Sequence, residues 1–208
     1  MTENVTQLAG FGALSNESRE RLGQLSQLLQ KWNPAINLVA QSTLSDVWGR
    51  HIADSAQLFT LLPSGAKTWL DLGSGGGFPG LVVAILATEQ APDLQVELVE
   101  SDQRKCVFLK TAVQTLGLSV TVTRSRIEAL APRRADVVSA RALARLDRLC
   151  GYALPHLAPK GICLFLKGGA IAAEVEDAKR HFQFDVTLVP NAVDGEGLVV
   201  KIADLAHV

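Results

Sequence analysis

Short apolar runs alternate with longer amphipathic runs along the chain after the Pro63-Ser64-Gly65 break. Apolar runs bounded by turn residues are typical of buried strands, and apolar residues three and four apart are typical of helices. The predicted strands are Thr68–Leu72, Val96–Glu100, Val120–Thr123, Asp136–Ser139 and Ile162–Leu166. Helices are predicted from Pro79, from Asp102 to Gly117, around Glu128 and through Leu149. This alternation predicts an α/β fold with a parallel sheet.

The last third of the chain has a different pattern. Pro159-Lys160-Gly161 is predicted to introduce the fifth strand, and a helix is predicted from about Ala170 to His181. Two further apolar runs, Phe184–Val189 and Leu198–Ile202, are joined by a short loop, which favours an antiparallel hairpin. Five parallel strands ending in a hairpin differ from the two symmetric halves of a dinucleotide dehydrogenase.

The segment before the break has only helical patterns. Leu22, Leu25, Leu29 and Trp32 recur at helical spacing behind a Ser15 cap, and a second helical stretch is predicted from Ser42 to Phe59. We therefore predict a helical extension over residues 1–65 and a sheet domain over residues 66–208. Trp32 and Trp48 have two interpretations, packing against the domain or stacking on a flipped base, whereas Trp69 is expected in the core.

A glycine-rich loop, Asp71-Leu72-Gly73-Ser74-Gly75-Gly76-Gly77-Phe78-Pro79-Gly80, joins the first strand to its helix. Glycines let the backbone approach a ligand closely, and a helix that begins there directs its N–H groups at it. The G-x-G-x-x-G pattern alone is weak support for NAD. Asp71, Gly73, Gly75 and Gly77 are more specific, because a carboxylate suits the ammonium of a methionine moiety better than a pyrophosphate. This frame favours S-adenosylmethionine.

Other strand ends add to the predicted pocket, because an open parallel sheet binds its ligand there. Glu100 ends the second strand and can accept hydrogen bonds from ribose hydroxyls, a role that both cofactor classes share. Ser125-Arg126-Ile127-Glu128 follows the third strand and is placed to contact an adenine edge. Ser139-Ala140-Arg141-Ala142 follows the fourth.

Composition narrows the class of protein. The longest apolar stretch in the 208 residues is much shorter than the roughly 20 residues that span a bilayer, and Met1-Thr2-Glu3 does not resemble a secretory signal. We therefore expect a cytoplasmic protein without a membrane segment. Cys106, Cys150 and Cys163 form no CxxC pair, so we expect buried, reduced thiols and neither a disulfide nor a metal site.

Charge is unevenly distributed along the chain. From Arg104 to Arg148 there are ten basic and three acidic residues, so this window carries +7 and the rest of the chain −8. A basic cluster on an otherwise acidic protein is consistent with a phosphate-rich partner such as nucleic acid, although solvated helix faces would give the same composition.

Several motifs in this order resemble those of the glucose-inhibited division protein B family, also called ribosomal RNA small subunit methyltransferase G. They are Trp32-Asn33, Asn37-Leu38, Arg50-His51-Ile52-x-Asp54-Ser55, the glycine loop, Ser125-Arg126-Ile127-Glu128, Ser139-x-Arg141-Ala142 and Leu166-Lys167-Gly168. One departure is Val39-Ala40, where a hydroxyl residue is common. The resemblance covers nearly the whole chain, and the Arg-His-x-x-Asp-Ser block sets it apart from general methyltransferases.

The resemblance implies a seven-strand class I S-adenosylmethionine-dependent methyltransferase fold, Rossmann-like, with an N-terminal helical extension. It implies methylation of N7 of one guanosine in 16S ribosomal RNA, on naked RNA or on the small ribosomal subunit, by a protein expected to be a monomer. By motif position, the implied cofactor contacts are Gly73, Phe78, Ile127, Glu128 and Arg141.

The residues are consistent with attack by guanine N7. That atom has an exposed lone pair and no proton to lose, so in-line displacement needs no general base and positioning supplies most of the catalysis. Arg141 is expected to hold cofactor or phosphate, because an arginine bound to guanine O6 and N7 would block the reacting atom. The residues expected to position the reactants are His51, Asp54, Arg141 and Lys167, with Arg50 at the RNA-facing mouth.

Plainer structural interpretations stay open for some of these residues. His51 is equally explained as a packing histidine, and Asp54-Ser55 as a hydrogen-bonded pair within a helix. A small-molecule methyltransferase, a dehydrogenase and a non-catalytic nucleoside-binding adaptor are the alternative functions.

Overall fold

A seven-stranded sheet forms the centre of the molecule. The computed structural model describes residues 14–168, 171–191 and 197–208. Its strands are β1 Thr68–Leu72, β2 Gln95–Glu100, β3 Val120–Arg124, β4 Ala135–Arg141, β5 Leu157–Gly168, β6 Phe182–Pro190 and β7 Gly197–His207. Their order across the sheet is β3-β2-β1-β4-β5-β7-β6. The first five strands are parallel, and β7 is antiparallel to both β5 and β6, so the predicted parallel sheet and terminal hairpin are confirmed.

Helices cover both faces of the sheet. They are α1 Asn16–Ile36, α2 Asp54–Phe59, α3 Gly80–Gln90, α4 Gln103–Thr115, α5 Leu146–Ala153 and α6 Ile171–Ala178. Side chains of a strand alternate between faces, so Trp69 packs with the layer of α1 to α4 while Leu70 packs with α5 and α6. Trp69 is 1% exposed and belongs to the core, as predicted.

The first helix is fixed to the sheet domain by its apolar stripe. Ser15 caps α1 by accepting a hydrogen bond from Ser18 N, as the sequence predicts. Leu22, Leu25 and Leu29 are fully buried, and the Trp32 ring meets Phe108 of α4 edge to face at 5.8 Å. Trp32 and Trp48 both pack against the larger apolar cluster, which corresponds to the packing interpretation.

The predicted second helix of the extension is not one regular helix. It consists of a 3-10 turn at Gln41–Asp46, a π-helical turn at Trp48–Ala53 and the short α2. Gly49 N donates to the Asp46 carboxylate and Ser55 Oγ donates to His51 O, so local side chains take part in the backbone hydrogen bonding. Single π-turns of this kind are frequent at functional sites.

A second difference concerns the start of β5. The strand begins at Leu157, so Pro159-Lys160-Gly161 lies within it rather than before it. Ala135 pairs with Leu157 and Val137 pairs with Ile162, so the residues between bulge out of the register. Met1-Thr2-Glu3, Ala170 and the middle of the β6–β7 loop lie outside the described residues.

The described residues contain no helix long and apolar enough to cross a bilayer. The three cysteines are buried with free thiols, as predicted.

Candidate functional site

The glycine loop leaves β1 as a tight turn that only glycine accommodates at several positions. Gly73, Gly75 and Gly77 have φ values of 66°, 52° and 85°. A Cβ on Gly77 would lie 2.3 Å from Leu81 Cδ1, and one on Gly73 would lie 2.7 Å from Leu143 Cδ1. Glycines therefore allow the tight course of this loop, and the loop backbone lies at the carboxyl edge of the sheet.

A cavity of about 750 Å³ lies at the carboxyl edge of the parallel strands, a size typical of cofactor sites. One wall comes from the sheet domain and the other from the extension. It is lined by residues 37–41, Thr43, Arg50, His51, Asp54, residues 73–76, Phe78, Lys105, Arg141, Ala142, residues 166–168, Asn191 and Gly197. The predicted His51, Asp54, Gly73, Gly75, Phe78, Arg141 and Lys167 are thus brought together, although no sequence spacing links them.

Phe78, His51 and Arg141 form one stack in this cavity. The rings of His51 and Phe78 lie 5.1 Å apart at an angle of 29°, and Arg141 Cζ lies 5.2 Å from the centre of the Phe78 ring. Phe78 is 4% and His51 6% exposed. A guanidinium over an aromatic face gains cation–π attraction, particularly when it is desolvated.

His51 is a neutral imidazole with both ring nitrogens bonded. Nδ1 lies 2.6 Å from an Arg141 nitrogen and Nε2 lies 2.7 Å from Thr43 Oγ1. Burial, together with the Arg141 and Arg50 cations, lowers the pKa of His51 to about 4. His51 therefore joins the extension to the end of β4, and its predicted part in positioning the reactants stays a prediction.

The other bonds of Arg141 also reach the extension. One of its nitrogens donates to the Arg50 carbonyl oxygen at 3.0 Å and lies 3.4 Å from the Asp54 carboxylate. Asp54 also accepts from the Asn191 amide at 2.6 Å and from Gln57. Ser55 Oγ donates to His51 O within the helical segment, so the alternative of Asp54-Ser55 as a helix-internal hydrogen-bonding pair stays open.

Lys167 lines the cavity wall with its ammonium group bound on the protein side. Nζ lies 2.7 Å from a Glu174 carboxylate oxygen and donates to the Ala144 carbonyl oxygen at 2.9 Å. Its side chain is only 13% exposed. Arg50 by contrast is an exposed residue at the cavity, and Lys105 is half-buried there.

Asp71 is not among the residues that line the cavity, and its predicted contact with the cofactor stays a prediction. It is fully buried under the loop, where one oxygen accepts from Ser139 Oγ at 2.7 Å and the other from Gly80 N at 3.3 Å. Burial raises the pKa of Asp71 to about 6, against the opposite effect of these hydrogen bonds. Asp71 therefore shapes the loop from beneath.

Glu100 lies beside the loop with its carboxylate bound by backbone amides. It accepts from Gly75 N at 3.0 Å, from Ser101 N at 2.7 Å and from Asp102 N at 2.8 Å. The carboxylate retains lone pairs beyond these bonds, since each oxygen can accept more than one hydrogen.

Ile127, Glu128 and Gly77 do not line the cavity as it stands. Ile127 and Glu128 form a 3-10 turn after β3, and the exposed Glu128 carboxylate accepts from the Tyr152 hydroxyl at 2.9 Å. The position that a Cβ would occupy on Gly77 lies against the Leu81 side chain. These residues lie next to the cavity along the chain, and their predicted contacts stay predictions.

The site fits S-adenosylmethionine on its own geometry. The loop backbone lines the cavity, Phe78 offers an apolar face, and Glu100 supplies an acceptor at the end of β2. No group of three or more metal-ligating side chains occurs within the described ranges.

Sequence reasoning missed Thr43, Asn191 and Glu174. Thr43 lies in a polar stretch without any motif, and Asn191 is 137 residues from its partner Asp54. A local sequence pattern cannot predict a contact between residues so far apart in the chain.

Comparison with known proteins places the chain among ribosomal RNA methyltransferases. The family model for rRNA small subunit methyltransferase G matches residues 18–197. A relative with that name from Cereibacter sphaeroides is 50% identical over 208 residues and covers 100% of both chains. One from Parvibaculum lavamentivorans is also 50% identical, over 97% of this chain and 91% of the relative.

Solved structures share the fold at low identity. A SAM dependent methyltransferase from Aquifex aeolicus has a TM-score of 0.60 at 15% identity, over 86% of this chain and 97% of that one. The CurJ carbon methyltransferase has a TM-score of 0.61 at 13% identity, over 90% and 65%. M. jannaschii TYW2, solved in complex with AdoMet, has a TM-score of 0.55 at 13% identity, over 76% of each chain. The predicted methyltransferase fold is confirmed.

Proposed function

The chain belongs to the rRNA small subunit methyltransferase G family, and on that premise we propose that it transfers a methyl group from S-adenosylmethionine to N7 of a guanosine in 16S ribosomal RNA. One observation carries the proposal. The family match spans both the glycine loop and the Arg50-to-Asp54 segment, and these two segments face each other across one cavity.

In this proposal the cofactor lies along the glycine loop. The backbone at Gly73 and Gly75 contacts its methionine end, Phe78 and Arg141 flank it, and Glu100 accepts from its ribose. Ile127 and Glu128 are assigned to the adenine end, while Asp71 and Gly77 act by shaping the loop. When bound, S-adenosylmethionine supplies an electrophilic methyl group on a sulfonium.

The residues of the cavity orient the reactants and remove no proton. His51 is neutral, its Nδ1 lone pair accepts from Arg141, and Nε2 lies against Thr43, so the ring has no lone pair left for a substrate. Asp54 is held by Arg141 and Asn191. Since N7 of guanine has a lone pair and no proton, holding the base in line with the methyl group is sufficient.

The RNA approaches on the cationic side of the cavity. Arg50 and Lys105 lie at the cavity, where their charges would attract phosphates, and Arg141 and Lys105 are the basic residues of the Arg104-to-Arg148 window that line it. Lys167 then positions the wall through Glu174 rather than binding phosphate itself. The proposal includes action in the cytoplasm, as a monomer and without a metal ion.

Incubation with radiolabelled S-adenosylmethionine and small ribosomal subunits that lack the modification tests this function. We expect label in 16S ribosomal RNA, and a loss of at least about a hundredfold in kcat/KM for Arg141→Ala, since Arg141 is central to the stack. Arg145→Ala is the matched control, because Arg145 belongs to the same basic window but is exposed and pairs with Asp177. Label in protein or a metabolite, with none in RNA, would contradict the proposal.

A further inference from the structure

We propose that Thr43 is a positioning residue that holds the His51 ring through its Nε2–H group and thereby holds Arg141 in the cofactor cavity. This inference rests on the proposed function, because it assigns Thr43 a role at the same site. Thr43 lies in the 3-10 turn Gln41–Asp46 of the extension, and Arg141 ends β4 on the other side of the cavity.

The direction of each hydrogen bond follows from the chemistry of the groups. A guanidinium can only donate, so His51 Nδ1, 2.6 Å from it, must carry a lone pair. A neutral imidazole then has its hydrogen on Nε2, which donates to Thr43 Oγ1 at 2.7 Å. The Thr43 hydroxyl donates its own hydrogen to the Ala40 carbonyl oxygen at 2.8 Å. In this series of three hydrogen bonds, every donor faces an acceptor.

The other tautomer of His51 would break the hydrogen bond between His51 and Arg141. With hydrogen on Nδ1, two donors would face each other at 2.6 Å, so the Arg141 nitrogen would have to move away from His51. Such a movement would disturb the stack, because Arg141 lies over Phe78 and Phe78 lies against His51. Thr43 also lines the cavity itself, but the role proposed here runs through the His51 ring, which makes it a positioning residue.

A purely structural role for Thr43 is the competing explanation. Its backbone N–H and its hydroxyl both bond to the Ala40 carbonyl oxygen, so the side chain also supports the local turn. Thr43→Val keeps the shape and removes the acceptor, whereas Thr43→Ser keeps the hydroxyl. Only a role through His51 predicts a change at His51 Nδ1, the nitrogen bonded to Arg141, in the first variant and its absence in the second.

The test measures the ring ¹⁵N chemical shifts of His51 and the Kd for S-adenosylhomocysteine in the full chain at neutral pH. The parent and Thr43→Ser should show the Nε2–H tautomer and the same Kd. Thr43→Val should show a changed Nδ1 shift, because the released ring bonds Arg141 less well, and a Kd raised about tenfold, the size expected for one lost hydrogen bond. In a His51→Gln background, Thr43→Val should cause no further loss of affinity, because the two residues act in series.

A Thr43→Val variant that keeps the parent Nδ1 shift and the parent Kd would overturn the role of Thr43 while leaving the proposed function intact. Equal losses in Thr43→Val with and without His51 would also overturn it, since Thr43 would then act independently of the ring. A parent chain that binds no S-adenosylhomocysteine would overturn the proposed function and, with it, the role assigned here.

Discussion

Burial shifts the pKa of two residues at the site in opposite directions. His51 loses its charge, because desolvation and two neighbouring arginines disfavour the imidazolium and lower its pKa to about 4. Asp71 is harder to ionise, because it lies fully buried under the glycine loop with a pKa of about 6. At neutral pH the His51 ring is therefore neutral, while the Asp71 carboxylate stays largely ionised. A neutral ring suits the hydrogen bonds of His51 to Thr43 and Arg141, and an ionised carboxylate suits the acceptor role of Asp71 under the loop.

Asp71→Asn should change how stability depends on pH. In the parent chain the folded carboxyl is protonated below about pH 6, but the unfolded one only below pH 3.8, so this group stabilises the fold at low pH. That contribution is lost as the pH rises through 6, and its full size is about 3 kcal/mol. An amide does not ionise, so the free energy of unfolding of the variant should gain on the parent between pH 4 and pH 7. Urea titrations across this range measure the difference, and a constant difference would contradict the assigned pKa.

Gly77→Ala should destabilise the fold by about 2 kcal/mol or more, because the new Cβ would meet the buried Leu81 and the backbone would keep a positive φ. Gly23→Ala is the matched control. Gly23 lies inside α1 with nothing within 4 Å of its Cβ position, so alanine should stabilise the helix by about 0.5–1 kcal/mol. Equal effects of the two changes on the free energy of unfolding would show that the loop does not require glycine.

The residue types of the site could be predicted from the sequence, but their partners could not. The glycine loop indicates a cofactor, and the order of the motifs points to Arg141 and His51. The same reasoning assigns Asp71 to the ligand, but it did not predict the bonds of its carboxylate to Ser139 and Gly80. Such contacts depend on which strands become neighbours in the sheet, as β1 and β4 do here. Local sequence patterns do not predict that pairing.

At the scale of elements, the extension forms one wall of the cavity and packs on α3 and α4. The carbonyl oxygen of Leu38 lies 3.3 Å from where a Cβ on Gly76 would be, so the chain after α1 lies directly over the glycine loop. The irregular segment from Gln41 to Phe59 then places Thr43, His51 and Asp54 toward Arg141. Helical periodicity predicted that this segment is helical, but its 3-10 and π turns depend on side-chain bonds that periodicity does not register.

Trp32→Ala should lower stability rather than RNA recognition. The ring packs edge to face on Phe108 and is half-buried, so we expect a loss of about 2 kcal/mol in the free energy of unfolding, less than for a fully buried tryptophan. Lys31→Ala on the same helix is exposed and should change it by less than about 0.5 kcal/mol. A Trp32→Ala variant with parent stability and a raised KM for RNA would instead indicate stacking on a base.

For the whole molecule, the arrangement of strands explains why residues distant in sequence line one cavity. The carboxyl ends of parallel strands lie together, so the loops after β1, β2, β4 and β5 meet although they are far apart in sequence. Part of the basic window is neutralised locally, as in the pairs of Arg133 with Glu97 and of Arg145 with Asp177. The net charge of a sequence window therefore overstates what is available to RNA.

The most direct test of the central claim is to identify the methylated nucleoside. Small-subunit RNA that lacks the modification is methylated by the full chain, digested to nucleosides and analysed by mass spectrometry against methylguanosine standards. The account predicts 7-methylguanosine as the product, because N7 has a lone pair and no proton to lose, so positioning of the guanine is sufficient. Methyl groups on an exocyclic amine, on N1 or on a ribose, with no 7-methylguanosine, would contradict it.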